Sequence, residues 1–192
     1  MKKKLFLGLI MSFALAANVF AIQVSEGLGA YSNLRMNPQF TGGSLILGIK
    51  DDNKVLGELL SVFDHEITLS AGKSKFKWTD YVEVDGNGKD IDVTESGHFI
   101  IFGDNWVHSF DMGFSAIRLG IGWDIGFYNG EDGKMDFGGG IGVLAGLEFF
   151  ADRLISVVCD VRPGVDLYGG MKEEFALPVT LSVRLNNNKI KL

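Results

Sequence analysis

Gly113-Phe114-Ser115-Ala116-Ile117-Arg118-Leu119-Gly120-Ile121-Gly122-Trp123-Asp124-Ile125-Gly126-Phe127-Tyr128 splits into two lists when every second residue is taken. The odd positions from Ile117 are Ile, Leu, Ile, Trp, Ile and Phe; the even ones include Arg118, Gly120, Gly122, Asp124 and Gly126. Successive side chains of a β-strand point to opposite faces, so this segment reads as a strand with one apolar and one polar face. Three more segments follow the rule. Met135 to Phe149 sets Phe137, Ile141, Val143 and Leu147 against glycines, Asp136 and Glu148. Ile155 to Leu167 sets Ile155, Val157, Cys159, Val161 and Val165 against Asp160, Arg162 and Asp166. Phe175 to Leu185 sets Leu177, Val179, Leu181 and Val183 against Glu174, Ser182 and Arg184. Their connections are short, as in an antiparallel meander.

Which face points inward decides between a soluble and a membrane barrel. The apolar faces of these four strands carry 23 large hydrophobic side chains. An eight-stranded barrel has an interior just filled by side chains, so twice that number would overfill it. The bulky face is therefore expected outside. Between Gly113 and Gly170 the only lysine is Lys134, in a loop, so the polar face reads as enclosed rather than water-facing. Arg118, Arg162 and Arg184 share that face with Asp124, Asp136, Glu148, Asp160, Asp166 and Glu174. Enclosed charges need partners, which predicts an ion-pair network in the lumen built from Arg118, Asp124, Glu148, Asp160, Arg162 and Arg184. Strand counting puts Arg118, Asp160 and Arg162 near mid-height, and Glu148 with Arg184 near one end. An aromatic girdle is predicted from Phe127, Tyr128, Phe137, Tyr168 and Phe175 at one membrane surface, and from Phe110, Phe114, Phe149 and Phe150 at the other.

The first half is less regular. Gln23 to Tyr31 is a candidate strand in which Glu26 sits on the parity of Val24, Leu28 and Ala30. Gly43 to Lys50 turns at Asp51 to Lys54 into a strand from Val55 through Leu69. Asp85-Gly86-Asn87-Gly88 is a strong turn signal that tips an external hairpin, returning from about Gly97 to Ser109. The result is an all-β, closed, antiparallel up-and-down transmembrane barrel of about eight strands, with ten as the alternative. Residues 1–21 read as a signal peptide: Lys2, Lys3 and Lys4 precede an apolar run that ends at Val19-Phe20-Ala21. Residues 22–192 are the barrel domain.

Composition closes other routes. The 192 residues are 46% hydrophobic with 26 glycines and one cysteine, which excludes a disordered chain and a disulfide scaffold. Residues 22–192 carry 15 basic and 24 acidic side chains, a net charge of −9 that argues against nucleic-acid binding. No His-x-Ser pair is present, and His108-Ser109 would point to opposite strand faces, so no enzyme is expected. Widely spaced histidines and a single cysteine predict no metal site or cofactor. Asp85-x-Asn87 starts like a calcium loop, but Lys89 and Asp90 break the pattern and favour a turn.

In its leading segment, its glycine-rich alternating strands, the Arg162-Pro163-Gly164 strand and the closing Phe175 to Leu185 strand, the chain resembles the small outer-membrane β-barrel proteins of Gram-negative-type bacteria. These include the OmpA-, OmpX- and OmpW-like barrels. The resemblance implies location in the outer membrane, contact with outer-membrane lipid and insertion by the barrel-assembly machinery. Such barrels usually end in an aromatic residue, whereas this chain runs on through Asn186 to Leu192. The expected role is a plugged barrel acting structurally or through its extracellular loops on an extracellular protein partner. A narrow channel or receptor for small apolar ligands, and a soluble periplasmic ligand-binding barrel, are the alternatives.

Overall fold

The computed structural model describes residues 23–34, 38–50, 62–84, 87–129, 134–168 and 174–186. The predicted signal peptide and the Asp51 to Lys54 turn lie outside the described residues. Among the described residues ten strands are formed: β1 (Gln23–Asn33), β2 (Gln39–Lys50), β3 (Asp64–Val84), β4 (Asn87–Asp111), β5 (Ser115–Asn129), β6 (Met135–Phe149), β7 (Ile155–Val161), β8 (Gly164–Asp166), β9 (Glu174–Ala176) and β10 (Pro178–Asn186). All pairings are antiparallel, each wall pairs with its sequence neighbours, and β1 pairs with β10, which closes the barrel.

Eight walls result, because β7–β8 and β9–β10 are each one wall interrupted without loss of register. Gly146 faces Asp160 and Gly142 faces Gly164 in one continuous count along β6, across the break at Arg162-Pro163. Pro163 lacks an N–H to give to the ladder. Its carbonyl still accepts from Val143 N–H at 3.0 Å. The register path from Gln23 through Lys50, Asp64, Val107, Gly120, Leu144, Arg162 and Pro178 returns to β1 at Asn33, ten residues further on. That stagger tilts the strands by roughly 40°, the usual range for small membrane barrels.

Alternation decides which residues meet the outside. Along β5, Ala116, Arg118, Gly122, Asp124, Gly126 and Tyr128 are buried while Ile117, Leu119, Ile121, Trp123, Ile125 and Phe127 are exposed. The apolar face is thus the exterior, which removes the soluble barrel with an inward apolar face. The exposed face continues through Phe137, Ile141, Val143 and Leu147 of β6 and Leu181 and Val183 of β10. No helix among the described residues is long and apolar enough to cross a membrane. The strands are long enough: about 9 to 11 tilted residues suffice.

Three expected boundaries move. β2 begins at Gln39 rather than Gly43, because Phe40 and Gly42 continue the lumen face. β3 begins at Asp64 and not at Val55; residues 55–61 lie outside the described residues. β3 and β4 run to Val84 and Asn87, well past the last partners that β2 and β5 offer at Lys75 and Phe99. Phe76–Val84 and Asn87–Glu95 therefore pair only with each other, as a hairpin projecting about 30 Å at roughly 3.3 Å per residue. The opposite end holds the described termini and the connections at 112–114 and 150–154. Gly113 takes φ +92° there, which only glycine adopts readily, and its N–H donates to the Asp111 carboxylate at 2.7 Å.

Candidate functional site: a two-layer lumen plug

The lumen is filled in two layers. Toward the terminal end, Glu66 of β3 receives Arg118 Nη2 of β5 at 2.7 Å and both terminal nitrogens of Arg184 of β10, the Nη2–Oε2 contact being 3.1 Å. Asp160 of β7 receives Arg118 Nε at 3.0 Å and Arg184 Nη2 at 3.3 Å. Two guanidinium groups and two carboxylates therefore form a closed ring drawn from four walls. Arg118, Arg184 and Glu66 are at most 3% exposed, so the ring is out of bulk water and each charge is met by opposite charge. Glu148 stands at its edge, 3.8 Å from Arg118 Nη1.

Toward the hairpin end the filling is aromatic. Phe40 is fully buried, with its ring centroid 5.0 Å from Phe99, 5.2 Å from Tyr168 and 5.6 Å from Tyr128; Tyr31 packs on Phe99. These are tilted and edge-on contacts, the arrangements that the ring quadrupole favours. Tyr168 O–H donates to Asp124 Oδ1 at 2.9 Å, Asp124 pairs with Arg162, and Asn33 Nδ2 donates to Asp166 Oδ2 at 2.7 Å. A polar belt thus joins the aromatic layer to the ionic one.

The expected network is therefore two groups. Arg118, Asp160, Arg184 and, at the margin, Glu148 come together at Glu66, while Asp124 and Arg162 form a separate pair nearer the aromatic layer. Glu66 was visible on the polar parity of the third strand, but without a register for the first half nothing tied it to Arg118. The girdle needs one correction. Tyr128 and Tyr168 lie inside, each about 1% exposed, because they share the parity of Asp124 and Asp166. Phe127, Phe137 and Phe175 stand exposed at the hairpin end, and Phe110, Phe114, Phe149 and Phe150 at the other. Phe127 and Phe137 are cross-strand partners with ring centroids 5.2 Å apart.

The lumen glycines make room for the plug rather than for a ligand. A methyl on Gly146 would strike the Asp160 carboxylate, and one on Gly140 that of Asp166. Among the described residues, the cavity beside Tyr31, Ser44, Ile46 and Arg162 is about 40 Å³. That is room for water but far below the roughly 300 to 1,000 Å³ of an ordinary small-molecule pocket. A recess of about 180 Å³ opens below the ionic ring, lined by Asp64, Ser109 and Glu148.

A closed β-barrel with a charged, filled interior and an apolar exterior banded by aromatics is an integral outer-membrane β-barrel protein, since closure satisfies the backbone and the exterior suits only lipid. Among solved structures the chain is similar to Neisserial surface protein A, at 14% identity over 86% of this chain and 95% of that one, with a TM-score of 0.45. It is also similar to a major outer membrane protein from Thermus thermophilus, at 13% identity over 86% and 99% of the two chains, TM-score 0.45. A third is Ail, the attachment invasion locus protein of Yersinia pestis, in complex with the heparin analogue sucrose octasulfate, at 12% identity over 86% and 96%, TM-score 0.40. No protein-family model matches the chain, and no curated protein sequence does.

Proposed function

We propose that this barrel is a non-conducting, non-enzymatic anchor that displays the β3–β4 hairpin outside the cell for contact with an extracellular partner. The observation that carries the reading is the plug: the Glu66–Arg118–Asp160–Arg184 ring and the Phe40 cluster leave about 40 Å³ between them. With the lumen filled, the chemistry open to water lies at the rim, and among the described residues the hairpin is the rim's largest element. The longer projections of such barrels belong on the extracellular side, so the long β3–β4 hairpin is assigned outward and the termini inward. Residues 76–96 hold two lysines against six acidic residues, which suits a neutral or cationic partner surface.

The test is an epitope inserted between Gly86 and Asn87, with the purified protein also examined in planar bilayers. Antibody binding to intact cells together with an absence of conductance steps is the expected result. An epitope reached only after permeabilisation, or a stable conductance from the unaltered protein, would overturn the proposal.

A further inference from the structure

The outer wall formed by β3, β4 and β5 carries a polar pair that neither the plug nor the hairpin uses. His65 Nε2 and Asp104 Oδ1 stand 2.5 Å apart on outward positions, with 23% and 16% of their side chains still exposed. Along β4, Asp104 is four residues from Ile100, the partner of exposed Phe127, and six from exposed Phe110. At roughly 3.3 Å per residue and a tilt of roughly 40°, it lies about 10 Å from the aromatic level at the hairpin end and about 15 Å from the other, within the hydrocarbon. Ionisable groups at that depth are costly, pair with one another and mark functional sites. Hydrocarbon favours a pair with no net charge, either imidazolium with carboxylate or imidazole with carboxylic acid. In both forms Nε2 and Oδ1 are used on each other, so the imidazole Nδ1–H remains a donor and Asp104 Oδ2 an acceptor. Among the described residues neither of these two atoms has a hydrogen-bond partner.

An apolar groove adjoins the pair. Val62 and Phe63 lie against β4, where His108 Nδ1 donates to the Val62 carbonyl at 2.7 Å. They form one side of a groove of about 770 Å³ that continues past Trp106, Leu119, Ile121 and Trp123, a volume in the range of small-molecule sites. Two of these residues border the polar pair: the Trp106 ring packs on His65 with centroids 4.9 Å apart, and Trp123 is the cross-strand partner of Asp104. Depth and charge then select the occupant. Only molecules dissolved in the bilayer reach this level, which excludes soluble partners and phospholipid headgroups. A plain acyl chain fills the groove but leaves the donor and the acceptor facing hydrocarbon. A charged group adds net charge where none is tolerated. A neutral hydroxyl is both donor and acceptor, so it answers either atom and adds no charge.

We propose that this wall binds a neutral, hydroxyl-bearing hydrocarbon from the bilayer, its chain in the groove beside Trp106 and Trp123 and its hydroxyl on the open edge of the His65–Asp104 pair. The site is independent of what the hairpin contacts. Two of the chain's three tryptophans border it, and the third, Trp78, belongs to the projecting part of β3, so fluorescence reports occupancy. The full barrel carrying Trp78→Phe is reconstituted in phosphatidylcholine vesicles and titrated with 9-bromo-10-hydroxyoctadecane or with 9-bromooctadecane, whose bromine quenches tryptophan on contact. A hydrogen bond within a membrane is worth enough to shift partitioning about fivefold, so the alcohol should reach half-quenching at about a fivefold lower mole fraction than the alkane. H65L/D104L should make the two compounds equivalent and leave the alkane's own curve unchanged, with heat-modifiable gel mobility showing that the variant folds. Equal half-quenching on the barrel with its His65–Asp104 pair intact, or a preference for the alcohol that survives H65L/D104L, overturns the proposal. Protection of the tryptophans from both compounds that grows with the protein-to-lipid ratio would overturn it too, by giving the wall to a second copy of the barrel.

Discussion

Removing the Glu66 carboxylate attacks the plug where most of its bonds converge. Glu66 is 2% exposed and accepts from Arg118 at 2.7 Å and from both terminal nitrogens of Arg184, so Glu66→Ala leaves two buried guanidinium groups sharing Asp160. Breaking a buried ion pair from one side typically costs about 3 to 5 kcal/mol, because the partner's charge stays buried without compensation. Asp160 still contacts both arginines, which places the expected loss at the lower end, about 3 kcal/mol. Replacing all four ring members by apolar residues of similar volume removes every stranded charge and should recover most of that loss. The assay is reversible urea unfolding in lipid vesicles, followed by gel mobility of unheated samples and by tryptophan fluorescence. A loss below about 1 kcal/mol for Glu66→Ala would refute the reasoning, since that is the range of a solvent-exposed pair. A four-fold apolar variant weaker than Glu66→Ala would refute it equally.

Other expectations follow from the same geometry. Gly146→Ala drives a methyl into the Asp160 carboxylate and should lower stability by about 1 to 3 kcal/mol, whereas Gly43→Ala, which meets nothing closer than a carbonyl oxygen at 3.7 Å, should change it by less than about 0.5 kcal/mol; urea midpoints compare them. Phe40→Ala empties the centre of the aromatic layer yet leaves the ionic ring intact, so planar bilayers should still show no conductance; open steps would mean that the ring does not seal. His65 Nε2 and Asp104 Oδ1 meet 2.5 Å apart on the outward wall, flanked by Ile67 and Trp106. Because polar groups on a lipid face are costly, replacing both by leucine should leave the unfolding free energy unchanged or raised, and a loss above about 1 kcal/mol would count against lipid contact there.

The second half of the barrel was legible because lipid on one side and a crowded lumen on the other impose a strict two-residue period. Met135–Phe149 has its sequence-derived boundaries, and β5 differs by two residues at its start and one at its end. The breaks at Arg162-Pro163 and Leu177 were invisible to parity, since neither shifts the register. Residue type alone draws Tyr128 and Tyr168 to the girdle, whereas their even positions place them inside; a phenol can sit at a membrane surface or donate to a buried carboxylate, and here Tyr168 does the latter. In the first half the period is blurred by real exceptions. Glu26 stands on the outward face between Leu47 and Leu185, and Asp104 on the same face between Ile67 and Trp123. The long hairpin extends where no lipid constrains either face, so only its turn signal was readable. Glu66, central to the plug, needed the cross-barrel register that no local pattern contains.

The outward orientation of the apolar face underlies everything else, and Cys159 reports on it directly. It is the chain's one cysteine, it is exposed, and it lies on β7 between outward-facing Leu147 and Leu181, within the apolar band. In the folded barrel in vesicles, a lipid-soluble maleimide should label Cys159 while a charged, water-soluble maleimide should not, until urea exposes the chain. Labelling of the folded protein by the charged reagent at the unfolded rate would contradict a lipid-facing exterior, and with it the membrane barrel.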